Sequence, residues 1–121
     1  TFRAGLEFDL TTALKDEIMS KTKLRIARKD DADTVLTGKI VTVTEGVITS
    51  NARDNIIENQ VTISINIALI DRRTGRELMT MDGLSNKAEY IVTRGENIKT
   101  ATQECLDGLA EKIVYQLEEK W

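Results

Sequence analysis

Apolar and polar residues alternate along 61–69 almost without error. Val61, Ile63, Ile65, Ile67 and Leu69 hold one parity, and Thr62, Ser64, Asn66 and Ala68 the other. A period of two marks a strand with one buried face. A one-residue slip in pairing would turn the whole apolar row outward, so register is tightly specified. The strand runs into Asp71-Arg72-Arg73-Thr74-Gly75, which fits a hairpin loop. Asp71 can accept hydrogen bonds from the turn backbone, and Gly75 can adopt positive φ. ELMTMDGLSNKAEYIVT, 77–93, then carries the return strand, with a break expected at Asp82-Gly83.

Upstream, 34–49 is rich in β-branched residues and predicts a long strand. Its alternation changes parity: Leu36 and Ile40 share one, Val41 and Val43 the other. Gly38 or Gly46 is the expected place for a bulge or bend. LRIAR, 24–28, predicts a short strand, KDDAD, 29–33, an acidic turn, and SNARDN, 50–55, a polar turn.

Two segments have a helical period instead. Leu6, Leu10, Ala13, Leu14 and Ile18 form one stripe over 5–21. Ile98, Ala101, Cys105, Leu109, Ile113 and Leu117 form another over 96–121, flanked by Leu106, Ala110 and Val114. Gly108 inside the second helix costs roughly 1 kcal/mol relative to alanine, which points to close packing there. The order helix, strands, helix predicts an α+β fold. It is a two-layer sandwich with two amphipathic helices on one face of a mostly antiparallel sheet of about four strands. The other sheet face, rich in Thr and Ser, should be open.

Composition changes this picture little. The 121 residues suit one domain, 1–121, and 40% hydrophobic with 31% charged residues is ordinary for a globular chain. A net charge of -3 is a poor footprint for nucleic acid, so no such partner is expected. One cysteine, Cys105, cannot form an intramolecular disulfide, and no run approaches a membrane span. The chain starts at Thr1 without a methionine and reads as a fragment or a mature portion.

The absence of histidine removes the commonest general base and metal ligand. Cys105 lies on an apolar helix stripe with no base to activate it, and reads as a small core residue. Asp30, Asp31 and Asp33 lack the closing glutamate of a calcium loop, so no metal is expected. Gly75, Gly83 and Gly95 are isolated and make no phosphate loop. An enzyme is not expected, nor a cofactor. Two close carboxylates with raised pKa values in a pocket would reopen that question. Arg72, Arg73 and Arg76 differ in kind. Three guanidinium groups on a hairpin tip can converge on phosphate or carboxylate. The competing reading is a solubilising turn near an exposed edge.

Four pieces in order, GLEFDLTTAL (5–14), ADTVLTGKI (32–40), VTISINIALIDRRTGREL (61–78) and LAEKIVYQLEEKW (109–121), together resemble the LptE family of outer-membrane lipoproteins of lipopolysaccharide assembly. The resemblance implies two helices on a mostly antiparallel sheet. It also implies a non-enzymatic role as plug and partner of an LptD-type β-barrel, on the periplasmic face of the outer membrane. Lipopolysaccharide would be held by basic residues, for which Arg72, Arg73 and Arg76 are the candidates, alone or with Arg53 or Arg94. Family members carry a strand and a lipidated cysteine before the first helix. Both are absent from this chain, so the membrane tether is expected outside it. The unpaired sheet edge would then invite a homodimer. The alternative is a generic periplasmic lipoprotein module that docks to another protein through its sheet edge or polar face.

Overall fold

The computed structural model describes residues 2–51 and 56–120. In chain order the elements are α1 (Phe2–Lys21), β1 (Thr34–Asn51), β2 (Ile56–Asp71), β3 (Glu77–Ile91), a 3-10 turn (Val92–Arg94) and α2 (Ile98–Lys120). The strands form one antiparallel sheet in the order β1-β2-β3.

The β2 row does what its alternation predicts. Val61, Ile63, Ile65, Ile67 and Leu69 are all buried, each at 6% exposure or less. Their neighbours across the two ladders extend the apolar face: Leu36 and Met79 flank Leu69, Ile40 and Leu84 flank Ile65, Val43 flanks Ile63, and Ala88 flanks Val61. Onto this face α2 lays Ala101, Cys105, Leu106, Leu109, Ile113 and Leu117, all in the buried core. Burial of each such aliphatic side chain contributes about 1.5–3 kcal/mol, the dominant favourable term in this small fold. The opposite face carries Thr42, Thr62, Ser64, Thr80 and Lys87 and is open, as the sequence implies.

The parity change in β1 has a physical cause. The ladder to β2 shifts register between Ile40 and Thr42, leaving Val41 as an extra residue. That bulge brings Val43 onto the face already occupied by Leu36 and Ile40. A second shift falls between Val47 and Thr49. Neither lies at the expected glycines. Gly38 serves packing instead, because a Cβ there would press on Ile67 Cδ1 at 2.7 Å. In β3 the expected break at Asp82-Gly83 is a bulge within a continuous strand. Gly83 takes φ +67 and donates its N–H to Asn66 Oδ1 at 2.8 Å.

One predicted strand does not form. LRIAR, 24–28, joins no ladder, so the described sheet has three strands rather than about four. The segment is held at both ends by other contacts. Leu24 N donates to Thr22 Oγ1 at the end of α1, and the Asp31 and Ala32 N–H groups close a turn on the Arg28 carbonyl. Between these anchors it is a short strap, with Leu24 and Ile26 nearly half exposed. The end of β3 also differs. The strand stops at Ile91, Gly95 adopts φ 81, and Asn97 caps α2 by accepting from Thr100 N at 3.0 Å. The helix therefore starts at Ile98 rather than Glu96.

Gly108 explains how α2 sits so close to β3. The Asn86 side chain lies against it and donates Nδ2 to the Cys105 carbonyl at 3.1 Å. Cys105 Sγ donates back to the Asn86 carbonyl at 3.1 Å. A Cβ on residue 108 would overlap the Asn86 amide. In a solvent-exposed helix Gly→Ala stabilises by about 1 kcal/mol. Here G108A is expected to reverse that sign and destabilise by about 1 kcal/mol, read as a lower midpoint in urea. A higher midpoint would show that the close approach is not used.

Candidate functional site

The hairpin after β2 folds as its residues dictate. Asp71 Oδ1 accepts from Arg73 N at 2.9 Å, the Asp71 carbonyl accepts from Gly75 N at 2.8 Å, and Gly75 takes φ 75. The three arginines do not share one role. Arg72 donates Nε to the Ala32 carbonyl at 2.6 Å, and its backbone N–H donates to the Asp33 carbonyl at 3.2 Å. It braces the turn that leads into β1. Arg73 and Arg76 are exposed, and their guanidinium groups make no hydrogen bond among the described residues. Arg94 does not join them. It follows β3, whose 15 residues separate it from the hairpin by roughly 45 Å at ordinary strand rise. Arg53 lies outside the described residues.

Beside this hairpin the two layers part. α1 packs chiefly on α2 and barely touches β1. Its stripe records the divergence: Leu6, Leu10 and Ala13 are buried, whereas Leu14 and Ile18 are only partly so. The gap is a cleft of about 430 Å³. Leu10, Leu14 and Ile18 form one wall, and Leu36, Ile40, Ile67 and Leu69 the sheet side. The strap Leu24–Ala27 lies along it, and Lys15, Arg25, Lys29 and Glu7 are its charged lining residues. Ala32 also lines the cleft, so the Arg72 bond ties the hairpin directly to it. Thr34 pairs with Asp71, which sets the start of β1 against the hairpin. No motif announces this cleft. Its sequence signal is modest: two apolar residues, Leu24 and Ile26, in a segment too short and too tightly anchored to pair as a strand.

Cys105 is fully buried, and desolvation pushes its thiol pKa up, despite pulls from Ile63 and Lys112. No group of three or more His, Cys, Asp or Glu side chains among the described residues could hold a metal. One carboxylate pair does form. Glu58 on β2 and Glu89 on β3 stand side by side, so that a protonated Glu58 can donate to Glu89, in an open groove that also holds Arg94 and Glu96. They lie on the open sheet face, without the enclosure that would exclude water from a reacting centre. Nearby, buried Tyr90 donates its hydroxyl to Glu45, which raises the phenol's pKa.

The Glu58 pKa is raised above the ordinary 4.5, first by the Glu89 hydrogen bond, then by desolvation and the Glu89 charge, against an opposing pull from Arg94. A carboxyl with a raised folded-state pKa contributes stability that is complete below about pH 4.5 and lost as pH climbs through the raised value. E58Q is therefore expected to raise Tm at pH 7.5 and leave it nearly unchanged at pH 4. A lower Tm at pH 7.5 would mean that attraction to Arg94 outweighs the clash with Glu89.

Fold and site together define an α+β sandwich domain with an exposed basic hairpin beside an apolar cleft. Among the described residues no helix is long and apolar enough to cross a membrane. The chain belongs to the LptE family, whose model, described as lipopolysaccharide-assembly, matches residues 1–120. Solved structures share the fold. A minor lipoprotein from Acinetobacter baumannii superposes with a TM-score of 0.64 at 16% identity, covering 93% of this chain and 83% of that one. A chain from Caulobacter crescentus CB15, provisionally described as a lipoprotein, gives 0.59 at 14% identity, covering 91% and 78%. No curated protein matches the sequence.

Proposed function

We propose that this domain is a non-enzymatic lipopolysaccharide-assembly lipoprotein at the periplasmic face of the outer membrane. It acts as plug and partner of an LptD-type β-barrel and contacts lipopolysaccharide. The observation that carries this reading is the family match over residues 1–120. The membrane tether is a lipidated cysteine in a segment upstream of residue 1. Within the chain, Arg73 and Arg76 are the groups offered to lipid phosphates. Their forked donors suit phosphate oxygens, and their exposure leaves them available at low cost. Arg72 positions the hairpin through its bond to Ala32.

This division of labour is testable. R73A/R76A is expected to weaken lipopolysaccharide binding about tenfold at low salt, with the loss shrinking as salt screens the wild-type contacts, and to leave Tm unchanged. R72A is expected to lower Tm, because it removes the brace on the 28–33 turn. Equal lipopolysaccharide affinity for the wild type and R73A/R76A would remove the hairpin from the mechanism.

A second reading draws on the sheet edges. β1 and β3 each have one partner among the described residues, so each leaves an edge able to add a strand. A periplasmic module that docks another protein, or a second copy of this chain, would use such an edge. Recovery of an LptD-type barrel by pull-down from outer membranes supports the first reading. A different partner, or a stable homodimer in place of the barrel complex, supports the second.

A further inference from the structure

The cleft between α1 and β1 is absorbed neither by the core nor by the hairpin. We propose that it is an acyl-chain site, whose occupant is the hydrocarbon tail of an anionic lipid. Two independent features identify that chemistry. First, its volume of about 430 Å³ is that of a small-molecule pocket, and its interior is aliphatic: Leu10, Leu14 and Ile18 face Leu36 and Ile67. Its uncharged polar lining side chains are Thr11, Thr34 and Thr37, too few to specify a sugar, a nucleotide or a peptide backbone. Second, the charged lining residues are unequal in sign, with Lys15, Arg25 and Lys29 against Glu7. An apolar slot with cationic groups around it complements a molecule that joins a hydrocarbon tail to a phosphate or carboxylate head.

The surrounding fold suits such a ligand. The strap Leu24–Ala27 is not bound into the sheet, so it can shift to admit a chain without breaking a ladder. Leu24 and Ile26 are 45% and 44% exposed, apolar surface that a tail would cover. The inference deepens the lipopolysaccharide reading by naming where a tail would go. Its test uses neither lipopolysaccharide nor a barrel, so the two readings fail separately.

The probe is 1-lauroyl lysophosphatidic acid, titrated calorimetrically below its micelle concentration. Octanoyl lysophosphatidic acid and lauroyl lysophosphatidylcholine serve as comparisons. Each methylene removed from water multiplies affinity by up to about fourfold. The lauroyl compound should therefore bind at one site and at least tenfold more tightly than the octanoyl one. It should also bind several-fold more tightly than the zwitterionic lipid. A27W, which fills the cleft beside the strap, should weaken binding at least tenfold. K15E/R25E changes only surface charge and should abolish the preference for the anionic head, which keeps the proposal testable if A27W does not fold. Unchanged binding by A27W, no dependence on tail length, or no preference between heads would each overturn the proposal. So would loss of binding in a form extended upstream of residue 1, since that would make the chain's own preceding segment the occupant.

Discussion

Everything in this fold hangs on the contact between the apolar row of β2 and the buried stripe of α2. Val61 to Leu69 are central to the sheet, bonded to β1 on one side and β3 on the other. Because side chains alternate strictly along a strand, one register fixes which residues of both neighbours face the helices. The Asn86–Cys105 pair and the Lys112 bond to the Ser85 carbonyl then pin α2 to β3. The glycine at 108 matters for the same reason, since it lets a polar side chain enter without a void.

That contact also explains the asymmetry of the two layers. With α2 seated over β2 and β3, α1 must lean on α2 and lift away from β1 along its C-terminal half. The lift opens the cleft. The strap crosses it because the chain has to travel from the end of α1 to the start of β1, and the Arg28 to Ala32 turn reverses it there. Arg72 fastens that turn to the 71–76 hairpin. Two features unrelated in sequence, a basic tip and an apolar slot, thus meet at one end of the sheet. The open face and the distant Glu58–Glu89 pair take no part in this end.

Much of this was legible in the chain because periodicity reports burial directly. The β2 alternation, the Asp71–Gly75 turn and most of both helix stripes are local patterns with local causes and fold as read, whereas Ile98 is exposed and Leu14 and Ile18 are only partly buried. The resemblance to the LptE family was legible too, and the family match agrees with it. What escaped were consequences of three-dimensional placement. The β1 bulge sits at Val41 because pairing with β2 demanded it, and no composition signal marks a valine as a bulge. LRIAR has a strand's composition but lacks a strand's partner, which only the anchors at Thr22 and Arg28 reveal. The three arginines looked equivalent in sequence. The backbone carbonyl of Ala32, 40 residues away, is what sets Arg72 apart.

The central claim is that lipid is met at the hairpin and cleft end of this sandwich. Photo-crosslinking in cells tests it most directly, with a photoreactive residue placed in turn at Arg73, at Ile26, at Thr62 on the open sheet face and at Val47 at the far end of β1. Lipopolysaccharide adducts at positions 73 and 26, with none at 62 or 47, are the predicted result. Adducts confined to 62 or 47 would contradict the account and move the site to the open face or the opposite end.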